Sequence, residues 1–252
     1  MKKKLQKAWQ ILGSFLLALM VCITVPLWVM MMILLAGIPH RWMFYWMHAW
    51  GKVMRFFLWS LCGITLKVEE WERISQHAVI YFVKHQSTFE TFVLPGLLPF
   101  HTYVLKQELL KLPFFGWGLR LLRVIAIDRT QGVKSLKAVI AKGKARLAKG
   151  CSIVIFPEGT RVAVNDAPEF HKSGALLARG VGCDIIPIAH NAGLLWPKGT
   201  FLKKRGTVTV CIGAPISSQG VTLDELNQTL YHWMRENTAR LCEGSRTRLK
   251  SK

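Results

Sequence analysis

From Ala8 to Pro39 the chain carries no charged residue, and that run restricts every architecture open to it. Lys2, Lys3, Lys4 and Lys7 precede it. A basic start before an apolar stretch is the layout of a signal peptide, but this run far exceeds an h-region and has no clear small-x-small cleavage site. Coiled as a helix it extends about 45 Å, against a hydrocarbon core of roughly 30 Å. Pro26 lies inside it and is expected to kink or break it. The next segment, Trp42 to Leu66, is apolar and aromatic but carries His48, Lys52 and Arg55 on one helical face. Charges deep in a bilayer are costly, so this second helix is expected along the interface rather than across it. Trp9, Trp28, Trp42, Trp46, Trp50, Trp59 and Trp71 fall in this first part, where indole rings favour the headgroup level. The expectation is an N-terminal membrane-embedded helical pair, residues 1–66, wedged into one leaflet. The N-terminus and the rest of the chain then share the cytoplasmic side. A single true span is the alternative.

The 252 residues are 51% hydrophobic, enough for one good-sized core beside the membrane part. A formal charge of +20 calls for an anionic partner: nucleic acid, an acidic membrane, an acidic protein or a phosphate substrate. No RRM aromatic motif, zinc finger or basic zipper is present, which argues against nucleic acid. Six cysteines lie far apart, without a Cys-x-x-Cys pair or zinc-spaced histidines. They read as small hydrophobes in apolar runs, with no disulfide expected, which fits a reducing compartment.

Beyond Leu66 the pattern alternates. Strands are predicted at residues 79–83, 102–105, 124–127, 152–156, 185–189 and 208–212. Helices are predicted at 87–98, 116–122, 132–149, 173–181 and 222–243, the last opened by a Thr222-x-x-Glu225 capping box. Apolar strands separated by helices predict an α/β fold with a largely parallel central sheet flanked by helices. This catalytic domain is expected over residues 67–245, followed by a basic tail at 246–252.

Two of the strands run into polar stretches, His85-Gln86-Ser87-Thr88-Phe89-Glu90 and Phe156-Pro157-Glu158-Gly159-Thr160-Arg161. Ligands gather at the carboxyl ends of strands in open α/β sheets, so the two stretches can share one cleft. His85 and Glu90 would not share a face of a continuous helix, five residues turning the side chain about 500°. They meet if His85 lies in the loop and the helix starts at Ser87 or Thr88. Glu90 then either caps the backbone at Ser87 or holds one imidazole N–H, leaving the other nitrogen to take a proton. In the second stretch Arg161 offers a guanidinium fork for phosphate oxygens, with Glu158 positioned to orient it or to bond a substrate hydroxyl. Lys106, followed by the apolar elbow Leu112 to Trp117, adds a second cation after a strand. Asp128-Arg129 and Lys172-Ser173-Gly174 place further charge in loops.

Taken in order, from about Val79 to Gly193, these stretches resemble the membrane-bound lysophosphatidic acid acyltransferases within the wider glycerolipid acyltransferase family. His85 to Glu90 matches the family's His-x-x-x-x-Asp block. Lys106 to Trp117, Phe156 to Arg161 and Ile186-Pro187-Ile188-Ala189 match the later ones. Two departures stand out: Glu90 replaces the usual aspartate, and Lys84 replaces a common asparagine. The resemblance implies that His85 is the base for the acceptor hydroxyl and that Glu90 orients it. It implies that Lys106, Glu158, Gly159, Thr160 and Arg161 hold the acceptor phosphate. It implies lysophosphatidic acid as acceptor, an acyl thioester of acyl-carrier protein or coenzyme A as donor, no metal and no bound cofactor. Anionic membrane lipids are the expected surroundings, in a bacterial inner membrane. An acyltransferase for glycerol-3-phosphate or another lysophospholipid is the runner-up. A basic membrane tether would leave both polar stretches without a use, and a hydrolase would need a metal cluster or the absent Gly-x-Ser-x-Gly elbow.

Overall fold

A computed structural model describes residues 2–128, 132–164, 166 and 168–250; Arg129 of the charged loop and the end of the basic tail lie outside them. Two helices open the chain, α1 (Lys2–Leu34) and α2 (His40–Cys62). α1 continues through Pro26 instead of breaking there. Bonds on either side of the proline hold it against α2. Trp50 Nε1 donates to Thr24 Oγ1 at 3.4 Å. Trp28 and Trp46 stack at 4.5 Å, and each indole N–H donates to the other's carbonyl, at 3.0 and 3.3 Å. With Cys62 bonded to the Gly13 carbonyl, these pairings define an antiparallel hairpin along its whole length. The tryptophans therefore divide. Trp28, Trp46 and Trp50 lock the hairpin, while Trp9, Trp42, Trp59 and Trp71 stay exposed.

The predicted second helix ends early, because Gly63 takes a left-handed conformation (φ 64°) and a strand follows at once. This β1 (Ile64–Glu69) lacked a sequence signal of its own. It is followed by β2 (Ile80–Val83), α3 (Phe89–Val93), β3 (His101–Lys106), α4 (Phe115–Leu121), β4 (Ile125–Ile127), α5 (Gly132–Leu147), β5 (Ser152–Ile155), α6 (Ser173–Val181), β6 (Ile185–His190), α7 (Ala192–Leu195), β7 (Gly206–Ile212) and α8 (Leu223–Lys250). The helix predicted at 87–98 shrinks to α3, since Pro95 cannot continue it and a 3-10 turn takes over. The last helix opens with the expected capping box, Glu225 accepting the Thr222 N–H at 2.8 Å and donating its own N–H to Thr222 Oγ1 at 3.2 Å. It then runs past its predicted end, into the residues expected as a tail.

The strands form one 7-stranded sheet in the order β1-β7-β6-β2-β5-β3-β4. All neighbours are parallel except β6 and β7. The sheet is thus largely parallel, as its uninterrupted apolar strands require. The two-residue period of a strand sorts its side chains by face. Tyr81, Val83, Val154, Ile186 and Ile188 pack toward α1, α2 and α3. Ile80, Phe82, Ile153, Ile155 and Ile185 pack toward α5, α6 and α8.

The hairpin is therefore one of the two layers that cover the sheet. Gly51 of α2 lies so close to Gly96 that no Cβ would fit at either position. Gly118 of α4 is open enough only for Val29 of α1. Near its start, Ser14 of α1 accepts the Lys203 N–H at 2.9 Å. α1 touches the domain near both ends while its outer side leaves Leu12, Phe15, Leu19, Ile23, Leu27 and Met30 exposed.

Candidate active site

β2, between β6 and β5, ends in Lys84 and His85, so the first polar stretch emerges at the centre of the sheet. His85 is the last residue before the chain turns into α3, and its backbone is fixed by the Val162 N–H donating to its carbonyl at 2.9 Å. Its ring stacks on Phe156 at 4.1 Å, which sets the plane of the imidazole. Nδ1 lies 2.9 Å from Glu90 Oε2. The other oxygen, Oε1, accepts the backbone N–H groups of Gln86 at 3.1 Å and Ser87 at 2.8 Å. The two readings of Glu90 thus hold together: one oxygen caps the start of the helical turn, and the other grips the histidine. The longer glutamate side chain spans both tasks.

Glu90 is fully buried while 17% of the His85 side chain is exposed. Burial pushes Glu90 up to about 7 and His85 down to about 4. The two groups titrate as a coupled pair. Backbone donors on Oε1 favour the carboxylate, and a carboxylate at Oε2 draws the ring proton to Nδ1. Nε2 is then bare, and it has no hydrogen-bond partner among the described residues.

His85 opens onto a cavity of about 370 Å³. Its deep walls are apolar, from Val25, Val29 and Met32 of α1, Met47 and Trp50 of α2, and Leu119 and Leu122 around α4. Its polar end collects Lys106 from the end of β3 and Gly159, Thr160 and Arg161 from the turn after β5. Gly159 takes φ 67° there, a backbone turn that favours glycine. Arg161 Nη1 donates to Thr88 Oγ1 at 2.6 Å and has no carboxylate partner among the described residues. The base and the cations expected from sequence therefore share one chamber.

Glu158 takes a different place. It is absent from the cavity wall and forms a buried ion pair with Lys84, 2.8 Å apart, with side-chain exposures of 0% and 6%. Its Oε1 also accepts the His85 backbone N–H at 3.4 Å. Parallel pairing of β2 with β5 explains this, since it places the residues after Val83 beside those after Ile155. An ammonium buried there needs a carboxylate more than a substrate phosphate does. Lys84 was seen in the sequence only as a departure from a pattern. His171 and Ser173 also line the cavity, and neither was singled out as a ligand.

His190 is a second histidine that sequence reasoning missed. Parallel pairing of β2 with β6 carries it alongside Lys84. It is 1% exposed, with Nε2 2.8 Å from the Lys84 carbonyl and 3.2 Å from Glu90 Oε1. The only signal available was a polar His190-Asn191 pair closing an otherwise apolar strand. Among the described residues no group of three or more His, Cys, Asp or Glu side chains is arranged to hold a metal.

The family model described as Acyltransferase matches residues 65–191, a span that starts in β1 and ends just after His190. The chain belongs to the acyltransferase family. This acyltransferase is 42% identical over 193 residues to the 1-acyl-sn-glycerol-3-phosphate acyltransferase of Pseudomonas aeruginosa, a match covering 74% of this chain and 75% of that one. A protein of the same description from Limnanthes douglasii is 28% identical over 209 residues, covering 82% and 74%. The crystal structure of the lysophosphatidic acid acyltransferase PlsC from Thermotoga maritima superposes with a TM-score of 0.76 at 21% identity, covering 96% of this chain and 98% of that one. That likeness is one of fold, and it includes the N-terminal hairpin.

Replacing Glu158 with glutamine would leave the Lys84 ammonium buried without a counter-charge. Glu158→Gln is expected to lose about 3–5 kcal/mol of stability, read from thermal or denaturant unfolding in detergent. A variant as stable as the parent, with only the acceptor KM raised, would instead put Glu158 on the acceptor.

Proposed function

We propose that this acyltransferase moves an acyl chain from an acyl thioester to the sn-2 hydroxyl of lysophosphatidic acid, forming phosphatidic acid for phospholipid synthesis. The observation that carries this reading is the His85–Glu90 pair opening onto the same chamber as Lys106 and Arg161. His85 Nε2 takes the hydroxyl proton as the acceptor oxygen attacks the thioester carbonyl. The tetrahedral intermediate expels the thiolate, which receives the proton held by His85. Glu90 keeps the ring aimed and offsets the charge that appears on it. None of the six cysteines lines the cavity, in keeping with direct transfer and no acyl-enzyme. Protons and acyl group balance between the two substrates, so the reaction calls for neither a metal nor a bound cofactor.

Arg161 and Lys106, with Gly159 and Thr160 shaping the turn, hold the acceptor phosphate at the polar end. The apolar depth between α1, α2 and α4 suits a hydrocarbon chain. The relatives are 1-acyl-sn-glycerol-3-phosphate acyltransferases, which favours lysophosphatidic acid over glycerol-3-phosphate as acceptor. The donor is a thioester of coenzyme A or of acyl-carrier protein, both acidic and both drawn to a chain of charge +20.

Membrane attachment follows from the hairpin. α1 is long and apolar enough to cross a bilayer by length and composition, yet its inner side is committed to the domain. The reading is therefore a hairpin bedded in one leaflet of a bacterial inner membrane, among anionic lipids, with the catalytic domain on the cytoplasmic face. Cysteine labelling at residues 4 and 245 in sealed inverted vesicles is expected to modify both from outside. Opposite accessibility of the two positions would replace the wedge by a span.

Purified protein assayed with lysophosphatidic acid and glycerol-3-phosphate, each with both donor types, is expected to turn over the first acceptor and not the second. In the same assay Arg161→Ala should raise the acceptor KM about tenfold or more, consistent with a lost charge-assisted hydrogen bond, with the donor KM within about twofold. Equal use of glycerol-3-phosphate, or an unchanged acceptor KM, would overturn the assignment.

A further inference from the structure

The charge on Glu90 is set by more than the helix start. His190 sits on the far side of this carboxylate from His85, at the end of β6. Its Nδ1 accepts the Ala192 N–H at 3.3 Å. That bond fixes the neutral tautomer with its proton on Nε2, which donates to the Lys84 carbonyl at 2.8 Å and lies 3.2 Å from Glu90 Oε1.

The residues around His190 leave it no freedom to turn. Gln86 bridges to it, donating from Nε2 to the His190 carbonyl at 3.2 Å and accepting the Gly193 N–H at 3.2 Å. Asn191 ties the strand end to β7 and α8, accepting the Thr209 N–H at 2.8 Å and donating to the Leu241 carbonyl at 3.3 Å. Glu90 Oε1 therefore accepts from the N–H groups of Gln86 and Ser87, with the polar edge of the His190 ring beside it.

We infer that His190 is a positioning residue for the proposed base, the positive edge of its ring beside Oε1 favouring an ionised Glu90 so that Oε2 keeps the proton of His85 on Nδ1. This rests on reading His85 as the base. Charged groups facing the pair from other elements are the mutually compensating Lys84 and Glu158, Arg161 from the turn after β5, and Lys198 beyond α7. All of them remain when His190 is changed.

The test compares His190→Leu and His190→Gln with the parent and with His85→Ala, measuring kcat at saturating substrates from acid to alkaline pH. Without the Nε2–H, Glu90 binds its proton more readily and the working protonation state forms only at higher pH. His190→Leu is expected to lower kcat roughly 10- to 100-fold, to leave both KM values within about twofold, and to move the acid limb up by about one pH unit. His190→Gln, whose amide places an N–H near the same point, should restore the limb and most of the rate. If His190→Leu does not fold, His190→Asn replaces it, its shorter amide being unable to reach Glu90. A folded loss variant with an unmoved acid limb would overturn the role of His190, and so would a folded His190→Gln no better than the loss variant. His85→Ala separates the two layers: turnover surviving there refutes the base itself, whereas an inert His85→Ala beside an unmoved limb refutes only the inference about His190.

Discussion

A carboxylate with no exposed surface, held between a helix start and an imidazole, is the interaction on which this structure turns. Burying Glu90 is costly unless each oxygen finds donors. Oε1 finds them in the backbone after β2 and Oε2 in His85, while His190 at the end of β6 lies 3.2 Å from Oε1. The central place of β2 in the sheet follows from this need, since only a strand with parallel neighbours on both sides receives polar residues from both at one edge. The ion pair of Lys84 with Glu158 is built on one side of β2, and the His190 contact on the other.

The second constraint is that a polar site must open under an apolar roof. The hairpin of α1 and α2 covers the face of the sheet that carries Tyr81, Val83 and Val154, and the same helices wall the cavity into which His85 opens. The exposed apolar hairpin and the walls of the chamber are therefore one construction. In the proposed reaction a lipid acceptor would lie with its chain beside apolar helices and its charged end beside Lys106 and Arg161. Low water access at the polar end is also what moves His85 and Glu90 away from their ordinary titration ranges.

Much of this was legible in the chain. Apolar runs bounded by turn signals marked β2, β5 and β6 almost to the residue, because a strand buried on both faces leaves no room for polar interruption. Ser87-x-x-Glu90 announced a helix start that would bring Glu90 back to His85. What escaped depends on register. Lys84 and Glu158 are distant in sequence and meet only because β2 and β5 pair in parallel. His190 reaches Glu90 only because β6 lies on the other side of β2. The resemblance groups Glu158 with the phosphate ligands, whereas its side chain pairs with the buried Lys84 ammonium. The β1 strand was hidden by the apolar helix before it, with Gly63 the one mark of the boundary. Pro95 cut the predicted helix short, and its effect could have been read in advance.

The central claim concerns one proton: once Glu90 is ionised it resides on Nδ1 of His85, shared with Glu90, while Nε2 is free to accept. ¹⁵N spectra of histidine-labelled protein in detergent, with the His85 signals identified by their loss in His85→Ala, report the tautomer directly. The account predicts a protonated Nδ1 and a bare Nε2 for this ring at mildly alkaline pH, where Glu90 is ionised, with the order lost in Glu90→Gln. A ring carrying its proton on Nε2 in the parent protein would contradict it.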